Sequence, residues 1–512
     1  MEIIVHQKLK WKFFYKIIFL FSLPIVANSC KPEGLNNLCD LKSDDFIPTV
    51  ILQASTASGS YHCGYKLVDV PPFGYRYTQF RFYLNFPVSI LPEFETNSSY
   101  AIEGNLPSGL SFDPTTGEIK GTTLSVTAPT TVRVTRNSPG FATVNLTLQV
   151  AEPSATFVYG QYGSLTCGAA YNIGSCSGSS NPNNQNLSSP FGVVTDSDGG
   201  VYIAGLNRIQ YFPPNTNQST FVYGQFGNFN CDIANNDQSC GGGTASAGNM
   251  SSVRGISLDR ENGLYATDLG NHRILYFPNS SNVPARIYGQ TSYTTAITGL
   301  SDTAFNAPRA VASSPEGGLY VAEANNNRVV YFPPGSTTAT RVYGQADFSS
   351  STNGTSETRF TGPFGMAVDS KGGLYVADSP SHRVLYFPVG STTATRVYGQ
   401  SNFTNNTLSI ASATALNNPT WIALDQSENL YVSDAGNNRV VVFPKSTQTT
   451  GHTAVAVFGQ YNILTCAAPN NVGGCTGGSV NPGGLFAPSS ITFNRQGQLY
   501  INDQNNHRIL VY

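Results

Sequence analysis

The chain has 512 residues, of which 40% are hydrophobic and 11% charged, with a formal net charge of −2. That length exceeds what one core usually serves, so several domains or a repeat array are expected, and the apolar share excludes a disordered chain. So small a net charge makes no field that would gather nucleic acid or anionic lipid, while abundant Gly, Ser, Thr and Asn with few charges point to an all-β, turn-rich protein.

The first thirty residues place Lys8, Lys10, Lys12 and Lys16 ahead of an apolar run from Ile17 to Ala27, followed by small residues. This is the pattern of an export signal, and the run is about half of what a bilayer requires, so no membrane-spanning anchor is expected. The sequence "VANSC" resembles the lipobox of bacterial lipoproteins. That resemblance implies an acylated Cys30, attachment to the membrane through an N-terminal lipid, and an outer membrane lipoprotein of the bacterial cell envelope. Ala27 with Ser29 also suits an ordinary signal peptidase, in which case the protein is secreted. Residues 1–29 are read as a signal peptide and 30–74 as a tether with one disulfide.

Nine cysteines is an odd number for an exported protein, and assigning Cys30 to lipid leaves eight. Cys167/Cys176, Cys231/Cys240 and Cys466/Cys475 share one spacing, in "CGAAYNIGSC", "CDIANNDQSC" and "CAAPNNVGGC". Identical spacing predicts three local disulfides. Zinc is the competing reading, but it usually needs CxxC-like clusters or nearby His, and neither is present. Cys39 and Cys63 are left to pair by elimination.

Residues 100–123, "YAIEGNLPSGLSFDPTTGEIKGTT", closely resemble the Ig-like modules of bacterial surface proteins, with alternating strands at "TVRVTR" (131–136) and "TVNLTLQV" (143–150). The resemblance implies a small β-sandwich over 75–152, a spacer or adhesive unit that holds the C-terminal part of the chain away from the membrane.

From residue 153 onward the chain repeats. An aromatic-Gly-Gln ending occurs at 159, 223, 288, 343, 398 and 458, and a middle such as "LYVAEANNNRVVYFP" (319) or "LYVADSPSHRVLYFP" (374) also occurs six times. With a short apolar run ahead of each middle, every unit reads as four short strands, too small to bury both faces except by stacking radially as a β-propeller. The residues "NHRI", "NHRIL" and "LYVAD" resemble NHL repeats, which implies a six-bladed β-propeller over 153–512. The order of the halves predicts that the last blade is shared, its outer strand from "ATFVYGQ" (155–161) and its other three strands from the C-terminus, ending in "HRILVY" (507–512).

Asp268, Asp378, Asp434 and Asp503 end second strands and Arg273, Arg383, Arg439 and Arg508 begin third strands; one unit has Glu323 with Arg328, and the first has Gly205 with Arg208. Such drift reads as scaffold, the acids accepting turn N–H bonds and the guanidinium groups forking onto carboxylate or carbonyl oxygens. The propeller could still be an enzyme of the lyase or lactonase type. However, the inner strands, "GVVTD", "GISLD", "AVASS", "GMAVD", "WIALD" and "SITFN", offer no His or Glu for a metal cage, and His272, His382 and His507 fall too far from the axis to share one ion. No nucleophile–base set or phosphate loop stands out, so no catalytic residue, metal or cofactor is assigned. Sixteen Lys and Arg against eighteen Asp and Glu from 153 onward leave no basic footprint for nucleic acid.

The connections into the inner strands differ in length. Segments 162–189, 226–252 and 461–487 have 27 or 28 residues, whereas 291–307, 346–362 and 401–418 have 17 or 18. The three long ones carry the Cys pairs and become neighbours once the ring closes. They predict a stiffened wall on one half of one face, with Tyr171, Asn172, Phe229, Asn235, Asn236, Asn470 and Asn471 as contacts to an unknown protein or glycan. The function expected is that of a binding or recognition scaffold, with a propeller enzyme and a structural envelope component as the alternatives.

Overall fold

In the computed structural model the described residues are 61–62, 65–66, 73–93, 99–137 and 141–512. Cys30, Cys39 and Cys63, and with them the lipidation, the signal peptide and the Cys39–Cys63 pairing, lie outside them. Among the described residues no helix is long and apolar enough to cross a membrane.

Residues 73–93, 99–137 and 141–151 contribute two packed sheets. One pairs Gln79–Tyr83 in parallel with Ala142–Ala151, then Thr127–Arg136 and Tyr100–Glu103; the other joins Pro87–Ile90, Ile119–Thr122 and Leu110–Phe112. The "GLSFDPTTGEIKGT" run makes the hairpin of the second sheet. Asp113 Oδ1 accepts from the Thr115 and Thr116 backbone N–H groups and the Thr115 hydroxyl. Gly109 and Gly121 have positive φ, and a Cβ on Gly121 would lie 2.1 Å from the Gly109 oxygen. Only glycine fits there, which is why the motif carries both.

Six further four-stranded antiparallel sheets are the blades. Their inner strands are Gly192–Thr195, Val253–Leu258, Pro308–Ser313, Pro363–Val368, Pro419–Leu424 and Pro488–Phe493, numbered here as blades 1 to 6. Each inner strand contacts the next, and the sixth contacts the first, which closes the ring. Blade 6 is shared as expected: Phe157, Val158 and Tyr159 pair with Val511, Leu510 and Ile509. Second and third strands such as Leu374–Asp378 and Arg383–Phe387 are buried throughout, because neighbouring blades cover both of their faces.

The aromatic-Gly-Gln ending has a local cause. Gly344 has φ +85°, and a Cβ on it would lie 2.2 Å from the Phe360 ring. The following glutamine turns back across the blade: Gln225 donates to the Asn207 and Ile233 carbonyls, and Gln161 to those of His507 and Ala169. The motif thus ties the outer strand to the turn before the third strand and to its own loop.

The sandwich is not strung out as a spacer. It packs on the face of the propeller that carries the turns between inner and second strands, at blades 5 and 6. Gln426 donates to the Gln79 carbonyl and Asn429 to that of Pro87. Tyr83 and Phe86 join a buried propeller cluster with Tyr431, Phe458, Leu499 and Tyr512.

Candidate functional site: the channel and its two mouths

The repeat carboxylates and arginines lie off the axis and are fully buried. Arg273 Nε donates to Asp268 at 2.7 Å, Arg328 Nε to Glu323 at 2.7 Å, Arg439 Nε to Asp434 at 2.7 Å, and Arg508 Nε to Asp503 at 2.7 Å; Arg383 pairs with Asp378 at 2.9 Å. The outer nitrogens reach backbone carbonyls of two loop segments: Arg273 donates to Tyr293 on one side and to Ser246 and Asn249 on the other, and Arg439 donates to Leu464, Ser412 and Ala415. The acids differ in detail from expectation. Their backbone partner is not in the turn but some seventeen residues upstream, in the loop entering the same blade, as with Ser251 N–H to Asp268 and Phe486 N–H to Asp503. In blade 1, where Gly205 replaces the acid, Asp232 of the next loop comes in: its Oδ2 lies 3.9 Å from Arg208 Nε and accepts from the Tyr171 hydroxyl at 2.5 Å.

His272, His382 and His507 each accept a backbone N–H from the next blade through Nδ1, from Ala307, Asn418 and Ser189 respectively. Among the described residues no group of three or more His, Cys, Asp or Glu is placed to hold a metal.

Cys167–Cys176, Cys231–Cys240 and Cys466–Cys475 are disulfides. Strand alternation puts all six loops that enter inner strands on one face, and the three long loops touch in series. Tyr171 of the first reaches Asp232 of the second, and Gly168 of the first lies against Val480 of the third. Three of the expected contact residues face the wrong way. Asn172, Asn236 and Asn471 are 1%, 0% and 0% exposed, and their Oδ1 atoms accept loop N–H groups, including those of Gly174, Cys240 and Gly473. An Asx turn under a disulfide draws its side chain inward, so these residues build the loops and cannot meet a partner. Asn235 and Asn470 are half-buried and exchange amide hydrogen bonds with Asn271 and Asn506. Phe229 is half-buried, and its carbonyl accepts from Arg208.

The six inner strands line a central channel. On the sandwich side it holds a cavity of about 410 Å³, with Val193, Ile256, Val311 and Met366 along its walls, Asp196, Ser257, Ser313 and Asp425 among its polar groups, and Tyr77 of the sandwich at its edge. Burial pushes the Asp425 carboxyl up to about 6, against donors that include Asn429 and the Ser427 N–H. Above it, Trp421 of blade 5 reaches across to blade 2, directly opposite, where a Cβ on Gly255 would lie 3.0 Å from its ring.

Beyond Trp421, at the mouth beside the disulfide loops, two arginines lie on adjacent inner strands. The Arg254 guanidinium stacks 3.6 Å over the Phe191 ring and that of Arg309 4.3 Å over Phe364. Burial, with the like charge of Arg309, lowers Arg254 to about 10, and burial lowers Arg309 as well. Sequence reasoning missed this pair, and a signal was present. Aligning the starts of the inner strands gives Phe191, Arg254, Arg309, Phe364, Thr420 and Ser489, so two arginines outside the repeat motif share one level of the channel.

Blades built from this repeat, with their shared closing sheet, define an NHL-type β-propeller carrying an N-terminal Ig-like sandwich. Residues 67–151 match the family described as "Putative Ig domain", and residues 360–387 and 416–443 match "NHL repeat". No curated protein matches the chain. Solved structures similar to it include a protein of unknown function from Bacteroides thetaiotaomicron (12% identity, TM-score 0.48, covering 86% of this chain and 98% of that one) and an auxiliary nutrient binding protein from the same organism (12%, 0.44, 86% and 97%). A virginiamycin B lyase from Staphylococcus aureus is also similar (12%, 0.35, 65% and 96%). The three disulfides belong to an oxidising, extracytoplasmic compartment.

Proposed function

We propose that the chain is an exported, lipid-anchored binding protein of the bacterial cell envelope, whose propeller recognises a protein or glycan on the face of the disulfide loops. The observation that carries this reading is the contact in series of three disulfide-bearing loops beside one channel mouth, while the opposite face is occupied in part by the sandwich. Loops already held rigid lose little entropy when a partner docks. Exposed residues on this wall include Ile173, Phe226, Ile233, Tyr461 and Val472, a set of apolar contacts around buried asparagines.

The test is binding of the full chain to glycan and peptide arrays, with a variant whose three long loops are cut to the length of the short ones. Loss of binding in a variant that stays folded is expected, and retained binding would remove the wall from the reading. Cys30→Ser should move the protein from the detergent phase to the aqueous phase; unchanged partitioning would replace lipidation with another attachment.

A further inference from the structure

We propose that the mouth of the channel beside the disulfide loops is an oxyanion site, in which Arg254 and Arg309 bind the carboxylate or phosphate group of a small ligand. This deepens the proposed binding function and rests on it. The two arginines are unlike every repeat arginine: among the described residues neither makes an ion pair or a side-chain hydrogen bond, and Arg254 Nε and Nη1 and Arg309 Nε are buried donors with no acceptor. Each of the five repeat arginines from Arg273 to Arg508, by contrast, pairs with a buried carboxylate.

Two half-buried like charges with orphaned donors oppose folding unless something answers them. Stacking on Phe191 and Phe364 fixes the planes of the guanidinium groups without satisfying a single N–H. Blades 5 and 6 present Thr420 and Ser489 at the same level, and their hydroxyls donate to backbone carbonyls rather than toward the guanidinium groups. Trp421 reaches from blade 5 toward blade 2 next to this level, and the cavity on the sandwich side has its own charged groups, Asp196, Asp259 and Asp425 with Arg260 and Arg495. What fits is a planar or tetrahedral oxyanion received by guanidinium forks.

Isothermal titration of the full chain with inorganic phosphate and with glucuronate, at ionic strength matched with chloride, tests the site and separates its two chemical sources. At least one probe should bind the wild type. Arg254→Gln and Arg309→Gln should each weaken binding at least tenfold, while Lys371→Gln, an exposed charge on the opposite face, should change it less than twofold. Because the donors are unpartnered, Arg254→Met should leave the melting temperature of the ligand-free protein equal or higher. Absence of binding by both probes, equal binding by the arginine variants, or a marked fall in melting temperature on Arg254→Met would overturn the proposal. Capture of an array partner by a protein that ignores both probes would overturn this site and leave the loop wall standing.

Discussion

His272, His382 and His507 occupy a position that is Asn327 and Asn438 in other blades, and all five have left-handed backbone with φ between 49° and 55°. Asn and His tolerate that region better than most side chains, and both offer an acceptor to the next blade. Asn438 Oδ1 takes the Ala487 N–H as the histidines take theirs. Nδ1 can accept only when unprotonated. Burial lowers all three imidazoles, opposed by Asp268 at His272, by Asp434 and Asp378 at His382, and by Asp503 at His507. A folded pKa below the unfolded value of about 6.5 means that the unfolded chain takes up the proton first. The contribution of these latches is therefore full above about pH 6.5 and declines as pH falls through the folded values. Replacing all three by Asn keeps the acceptor and removes the titration, so the triple variant should lose less melting temperature than the wild type between pH 7.5 and 5.5. The comparison cancels Asp425, whose raised carboxyl works in the opposite direction, and His452, stacked on Tyr398 and lowered to about 4. Parallel pH profiles for the two proteins would remove the latch.

Blade 1 shows where an element can be read from sequence and where it cannot. Six repeats, the shared closing blade and the three disulfides are all legible, because each follows from spacing along the chain. The acid of blade 1 is not. Gly205 reads as loss of the motif, yet Asp232, twenty-seven residues further on, restores it from within a disulfide loop. Contacts between loops obey no period, and the same blindness made Asn172, Asn236 and Asn471 look like contacts when they are loop scaffolding. Asp232→Ala should leave Arg208 buried without a carboxylate and cost about 3 kcal/mol in chemical unfolding, whereas Tyr171→Phe, which removes only a hydroxyl, should cost about 1 kcal/mol. Equal costs would mean that the tyrosine, rather than the charge, couples the loops. Each disulfide closes a loop of ten residues, worth about 3 kcal/mol in the chain-entropy account, so non-reducing peptide mapping should find all six cysteines oxidised, and reduction should lower the melting temperature.

The whole molecule is held by a seam that neither domain explains alone. The ring closes where Phe157–Tyr159 pairs with Arg508–Val511, and the residue that follows this strand is met by the sandwich: the Tyr83 hydroxyl donates to the Tyr512 carbonyl at 3.0 Å and accepts the Leu499 N–H at 2.9 Å. Its ring stands edge-on to Phe458 at 5.4 Å, and burial pushes its hydroxyl up to about 12. In sequence Tyr83 is one more aromatic in "FRFYLNF", indistinguishable from the Phe80 and Phe82 that fill the sandwich core. The burial pattern separates them, because Phe82 and Tyr83 are consecutive and both buried, which an alternating strand permits only where its second face is covered as well. The sandwich thus clamps the third strand of blade 6 from the side opposite the disulfide loops. Tyr83→Phe keeps the ring but orphans a buried N–H and a buried carbonyl, at about 1–3 kcal/mol; Tyr83→Ala adds the loss of a packed aromatic, at about 3–5 kcal/mol. If the clamp secures the closure, hydrogen exchange in both variants should rise first at Val158 and in 508–511, and only then in the inner blades. Protection lost in the sandwich alone, with residues 508–511 unchanged, would show that the two domains merely touch.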